Sequence, residues 1–442
     1  MFENLIISNA KRNVWVYNIG ADKSWIPEKV GIHKIINSQE RRIINLQAEL
    51  MIFLTSKSDL IYLSKLPEKE FIRDMELFGM EQPEVRLLPQ EIPCHFTRYI
   101  SESEDIKDEL GKLQSSNQDV AYIPYVVTEE DEKICMDSGL VLWGGKASVT
   151  KKVNSKVFAR RIAQELGFPT TEGFICSSEE ELAKGYAELL KRGYKYCVIK
   201  EPYGTSGKGV HLVKNEKTFK NLLRMIRFPE EHGTFQVLLE GWIEDKKDIN
   251  YQIAINSLGN VKLLSINEQL IKQTTNKGTR FPAEISPEQE TIFKNAAEKI
   301  GRRLFQEGYT GIMGIDSIIK PSGEVIPILE LNGRFNQSTF YIPLFSRLLQ
   351  WKRQALIKYY DIRTTEYLNY RKLKDVLVAQ DKAFSPENKT GILILNSACL
   401  SYDFDKSDKK YLSRVYVAVI AEQGKNINDE AAAADRLIGQ IP

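Results

Sequence analysis

Short unbroken apolar runs alternate along this chain with stretches whose apolar positions recur every three or four residues, the pattern of strands interleaved with helices. The stretch Asn13-Val-Trp-Val-Tyr-Asn-Ile-Gly20 predicts an opening strand that ends at a glycine turn. Residues 50–54 and 60–63 are wholly apolar and predict two buried strands. Residues 67–79 keep Phe71, Met75 and Phe78 on one side of a helix. Residues 120–124 and 140–145 predict further strands, so 1–145 reads as an N-terminal α/β lobe.

The pattern changes after Val149. Asn154 or Ser155 caps a predicted helix that runs to Leu166 and stops at Gly167 and Pro169. Residues 196–199 predict a strand leading into a glycine-rich loop, and 235–239, 249–255 and 261–266 an antiparallel set. A long helix is expected over 287–305. Two strands then follow, at 311–319 and 325–331, joined by the turn Pro321-Ser322-Gly323. Strands at 391–395 and 416–420 and an alanine-rich final helix around Ala431 to Ala434 predict a small C-terminal α/β cap. The domain expectation is 1–145, 146–360 (divided near 235) and 361–442. No internal repeat or low-complexity segment interrupts it.

Composition narrows the class. At 442 residues the chain is too long for one ordinary domain. With 42% hydrophobic and 27% charged residues it is a folding, water-compatible sequence. The 61 basic and 59 acidic residues leave +2, which gives no global pull toward nucleic acid or membrane. No apolar run reaches the roughly 20 residues of a membrane helix, and the N-terminus lacks the basic start of a signal peptide. The cysteines Cys94, Cys135, Cys176, Cys197 and Cys399 are scattered, without a C-x-x-C pair. A cytoplasmic protein with reduced thiols, and no catalytic cysteine, is the expectation.

Two islands carry the chemistry. The first is Lys200-Glu-Pro-Tyr-Gly204-Thr-Ser206-Gly207-Lys-Gly209. It fits neither the P-loop nor G-x-G-x-x-G, yet it offers backbone N–H groups, two hydroxyls and a lysine to a polyphosphate. The same residues would also make a glycine-rich hairpin turn with solvated lysines. The second island is Gly314-Ile-Asp316, a strand, then Glu330-Leu-Asn332-Gly-Arg334. Asp316 lies on one strand, and Glu330 and Asn332 share a face of the next. Hairpin pairing would gather three oxygen-bearing groups, a set suited to Mg²⁺, with Arg334 beside it to neutralise a transferring phosphoryl group. A surface ladder of polar side chains is the alternative. The four histidines (His33, His95, His211, His232) have no metal-binding spacing.

Over about residues 150–345 the chain resembles the ATP-grasp enzymes, the superfamily of carboxylate–amine and related ligases that includes D-alanine–D-alanine ligase and biotin carboxylase. The resemblance implies an ATP-grasp fold: two α+β halves gripping ATP, here preceded by an N-terminal α/β lobe and followed by the small cap. Lys156, on a helix running into Leu-Gly-Phe-Pro-Thr, and Lys200 match the family's phosphate-binding lysines. Glu240-Gly-Trp242-Ile243 matches the hinge that meets adenine, and Asp248 stands near the ribose-binding acid. Gly204, Ser206, Gly207 and Gly209 fall in the closing loop. Asp316, Glu330 and Asn332 match the magnesium ligands, for two Mg²⁺ ions with Mn²⁺ as a substitute, and Arg334 completes Glu-x-Asn-x-Arg. The D-alanine ligases have an arginine two residues before the Asp, where this chain has Gly314. Arg280, expected on a mobile loop, is the candidate to replace that charge. The start through Trp25 and the stretch from Arg414 to Glu422 are similar to peptide ligases of the pheganomycin type, whose relatives in aminoglycoside pathways charge an acyl carrier protein.

What the resemblance implies is an ADP-forming ligase of natural-product type that activates the carboxylate of an amino acid or peptide-like acid as an acyl phosphate and passes it to an amine. Arg334, Arg280 and Lys200 would act on the reacting groups. The alternatives are delivery to the thiol of an acyl carrier protein, and a nucleotide-binding protein without turnover. Expected partners are the small-molecule acid and amine, a carrier protein under the second reading, and a second copy of the chain as a homodimer, with no nucleic acid and no membrane.

Overall fold

The computed structural model describes residues 10–25, 38–117, 119–204, 209–229, 235–272 and 275–441. Three sheets organise them. The first is parallel and five-stranded, in the order Glu84–Leu87, Leu60–Leu63, Arg12–Val16, Val120–Pro124, Val141–Leu142. Its three central strands are buried almost throughout, as helices on both faces of a parallel sheet require, while the outer strands Glu84–Leu87 and Val141–Leu142 are partly exposed. The second is antiparallel and four-stranded: Gly173–Cys176, Val237–Gly241, Cys197–Lys200, Val210–Val213.

The third sheet is nine-stranded. It runs from Val325–Asn332 through Gly311–Ile319, Lys247–Ile255, Val261–Lys272 and Thr275–Phe281 to Arg353–Thr364, Lys410–Glu422 and Gly391–Ile394, with Asp403–Asp405 also paired to Lys410–Glu422. The helix Pro287–Gln306, capped by Ser286 and Gln289, lays Phe293, Ala296, Ala297, Ile300 and Leu304 on this sheet. Strands from the C-terminal region thus extend the sheet that carries the second island. A core of aromatic and aliphatic residues joins that region to the N-terminal lobe, for example Phe53 against Tyr341 and Phe71 against Tyr370.

Several local expectations are corrected. Residues 50–54 lie in a 3₁₀ helix, Gln47–Leu54, not a strand. All of its residues from Ala48 to Leu54 are buried, so a fully enclosed helix and a buried strand leave the same unbroken apolar run. The strand expected at 235–239 pairs in the four-stranded sheet, leaving 242–246 as the link to the nine-stranded one. The segment around Arg280 is the strand Thr275–Phe281 rather than a loop. Ser155, rather than Asn154, caps the helix Lys156–Glu165, its side chain accepting from Phe158 N.

Candidate active site

The hairpin Gly311–Ile319 and Val325–Asn332 places Asp316 directly opposite Glu330, and Gly314 opposite Asn332. Asp316 Oδ2 accepts from Asn332 Nδ2 at 3.0 Å; Oδ1 accepts from Asn250 Nδ2 at 2.7 Å and Gln269 Nε2 at 3.2 Å. Burial and then the Glu330 carboxylate push Asp316 up to about 6. A second carboxylate this close disfavours the charged form of Asp316 until a cation arrives, and the hard oxygens of the pair suit Mg²⁺. Among the described residues no group of three or more His, Cys, Asp or Glu is placed to hold a metal. The candidate set is two carboxylates and the Asn332 amide, all on the wall of one cavity.

Two cations reach that wall. Lys156 is 1% exposed; its Nζ lies 3.0 Å from Glu330 Oε1 and donates to the Gly204 carbonyl at 3.2 Å. It therefore ties the helix Lys156–Glu165 to both the acidic hairpin and the start of the glycine loop. Arg334 donates to Asn332 Oδ1 at 2.7 Å, to the Tyr125 hydroxyl at 3.3 Å and to the Phe335 carbonyl at 3.2 Å. Asp22, from the N-terminal lobe, is buried with its charge set against Arg334; burial raises its carboxyl while Arg334 opposes the rise.

A second cluster lies at the other sheet. Lys200 Nζ is 2.5 Å from Glu240 Oε2, and Arg160 Nη1 is 3.0 Å from Glu240 Oε1, with Thr171 also bonded there. Burial would raise the Glu240 carboxyl, but Lys200, Thr171 and Arg160 together hold it below its ordinary value. Lys246 lies 3.7 Å from the Trp242 ring centroid and 3.8 Å from Asp248. Ile243 is half-buried in the 242–246 link. The link thus presents an aromatic face, a cation and a carboxylate side by side.

The structure brings Lys156, Gly204, Asp316, Glu330, Asn332 and Arg334 to one cavity of about 370 Å³. Lys200, Glu240, Trp242 and Asp248 form the neighbouring cluster. Ser206 and Gly207 lie outside the described residues. Gly209, at φ +75°, follows them and accepts from Glu201 N at 2.8 Å. Arg280 does not join the cavity wall: its guanidinium bonds Glu284 and Asn428. Nor does Gly314 leave room for another charge, since a Cβ there would stand 2.1 Å from Asn336 Nδ2 and 2.9 Å from Gln252 Nε2.

Sequence reasoning missed much of the wall. Asn250 and Gln252 alternate with buried Ile249, Tyr251 and Ile253, and such polar residues in a buried strand were a legible signal. Lys246 is tucked over Trp242. Tyr17, Gln47, Tyr125, Tyr359, Arg414 and Tyr416 reach the cavity from the outer regions and carry no local motif. The cysteines are free, and burial pushes Cys197 up to about 11 and Cys176 up to about 12, away from thiolate chemistry.

Comparison with known proteins bears on this geometry. Residues 155–340 match the family described as Carbamoyl-phosphate synthase L chain, ATP binding domain. The chain is 29% identical over 339 residues to the [butirosin acyl-carrier protein]–L-glutamate ligase of Niallia circulans, covering 76% of this chain and 75% of that protein. It is 27% identical over 206 residues to the methylcrotonoyl-CoA carboxylase subunit alpha of Arabidopsis thaliana, covering 46% of this chain and 27% of that one. An ADP complex of N5-carboxyaminoimidazole ribonucleotide synthetase superposes with TM-score 0.56 at 15% identity, covering 98% of both chains. Biotin carboxylase of Campylobacter jejuni gives 0.56 at 13% identity, over 93% and 88%. These structural likenesses establish the fold.

Proposed function

We propose that this chain, which has the ATP-grasp fold and matches an ATP-binding domain family over residues 155–340, activates a carboxylic acid as an acyl phosphate and transfers the acyl group to an amine. The observation that carries this reading is the convergence of Asp316, Glu330, Asn332, Arg334 and Lys156 on one cavity, beside the Lys200–Trp242–Asp248 cluster. The nucleotide would lie between the two, with adenine at the 242–246 link and phosphates toward Lys200 and Lys156. Mg²⁺ held by Asp316, Glu330 and Asn332 would supply charge neutralisation at the phosphate oxygens.

A substrate carboxylate oxygen attacks the γ-phosphorus. The bond from γ-phosphorus to the bridging oxygen breaks, and ADP leaves with the electron pair. The acceptor lone pair then adds to the acyl carbon, the carbon–oxygen bond to phosphate breaks, and inorganic phosphate departs; the acceptor's proton passes to phosphate or solvent. Lys156 and Lys200 position the phosphates. Arg334, fixed by Asn332 and Tyr125, faces the charge that develops on the transferring group and on the tetrahedral oxygen.

A second reading sends the acyl group to the thiol of an acyl carrier protein. The Niallia circulans relative, named for such a reaction, favours it. Reduced cysteines and an ATP supply suit the cytoplasm, and a homodimer is compatible with either reading. The test is ADP release measured over a panel of carboxylic acids with Mg²⁺, with and without amines or carrier protein. No acid-stimulated ADP formation from any of them would overturn the proposal.

A further inference from the structure

The cavity has two ends. At one stand Asp316, Glu330 and Arg334; away from these, strands Arg353–Thr364 and Lys410–Glu422 contribute Tyr359, Arg414 and Tyr416. Arg414 pairs in register with Asp361, and Tyr416 with Tyr359, so the four side chains share one sheet face. Arg414 Nε and Nη2 form a fork with the two Asp361 oxygens at 2.6 and 2.9 Å. The Tyr359 ring lies under the guanidinium, 4.9 Å from centroid to Cζ. Asp361 is 56% exposed and off the cavity wall, whereas Arg414 is 24% exposed and on it. The carboxylate thus grips the guanidinium from the solvent side, Tyr416 stands against it from its own strand, and Nη1 takes no part in the fork.

A guanidinium braced from behind and stacked on a tyrosine is pre-oriented to meet a planar anion bidentately or through one amino edge. Across the same cavity Tyr17 donates its hydroxyl to Gln47 Oε1 at 3.2 Å, which commits the oxygen of that amide and leaves its NH₂ as a further donor. An anionic group would find donors here, and the acidic hairpin would attract a carboxylate only through its metal and Arg334.

We infer that Arg414 is a specificity-determining residue that anchors a second carboxylate of the substrate acid, so that the chain selects a dicarboxylic acid, one carboxylate activated near Arg334 and the other held at Arg414. This rests on the reaction proposed above. A monocarboxylic acid of similar size would leave Arg414 without an anionic partner and would bind less well.

The experiment measures acid-stimulated ADP formation for acidic amino acids against their amides and monocarboxylic analogues of equal length. Wild-type protein should favour the diacids, and Arg414→Gln should lower kcat/KM for a diacid on the order of 100-fold while the amide changes little, collapsing the ratio. MgADP binding by the variant, read by calorimetry, checks that the nucleotide half is intact. If Arg414→Gln does not fold, Arg414→Lys serves: it keeps charge but loses the fork, and should cut the preference at least severalfold. Acid-stimulated turnover with no diacid preference, or a preference that survives both substitutions, overturns this inference alone. Absence of turnover with every acid overturns the underlying reaction instead.

Discussion

The ammonium of Lys156 lies 3.0 Å from the carboxylate of Glu330, joining the first turn of a helix in one half of the ATP-grasp domain to the acidic hairpin of the other. That contact makes Glu330 serve two ends. Glu330→Gln should remove a metal ligand and lower Mg²⁺-dependent ADP formation by at least about 100-fold. It should also leave Lys156 buried without its counter-charge, at a stability loss of about 1–3 kcal/mol. Steady-state kinetics and urea denaturation measure the two effects; full turnover in the variant would remove Glu330 from the site.

Lys200 and Glu240 form the corresponding pair at the neighbouring cluster. Lys200→Ala should raise KM for ATP by roughly tenfold or more, since a charge-assisted contact to phosphate is lost. The fold should persist, because Arg160 and Thr171 still hold the Glu240 carboxylate. Circular dichroism with nucleotide titration separates the two. Unchanged KM would exclude the phosphate role.

The pH dependence follows from Asp316. Its carboxyl is raised from 3.8 to about 6 by burial and by Glu330. The metal-free protein is therefore steadied by its protonated form, a contribution present below the unfolded value near 4 and lost as pH climbs through about 6. Metal binding runs the other way, since proton and Mg²⁺ compete. Apparent Mg²⁺ affinity should fall up to about tenfold per pH unit below about 6. Thermal shift with ADP at graded Mg²⁺ from pH 5 to 8 tests this; a flat profile would contradict it.

Trp242 carries Lys246 on its ring in the link between the two sheets. Nucleotide entering beside that ring should change its environment. Tryptophan fluorescence should shift when ADP alone is added, and the shift should vanish in Trp242→Phe. An undiminished response in the variant would put the adenine elsewhere. Lys246→Ala should weaken ADP binding severalfold, as a partly buried cation–π pair is worth about 1 kcal/mol.

Legibility varied with how local each signal was. The alternation Asp316, Glu330, Asn332, Arg334 sits within one hairpin whose turn is written in Pro321-Ser322-Gly323, so its convergence could be read from spacing. Residues 50–54 could not be, because an apolar run without period fits two structures equally. Arg280, expected on a loop, lies in a strand held on both sides, by Glu268 and Leu356, through register that no nearby residue announces.

By itself the sequence determined the parts whose physics is local: the helix stop at Gly167 and Pro169, hairpin pairing, the period that separates helix from strand, and the oxygen-rich chemistry of the second island. Only tertiary structure decided which distant side chains meet. Lys156 finds Glu330, Asp22 is set against Arg334, and Arg414 reaches the same cavity as Asp316, because folding brings three sheets around one space. Contacts between residues far apart in the chain depend on the packing of whole elements, and no short stretch of sequence encodes them.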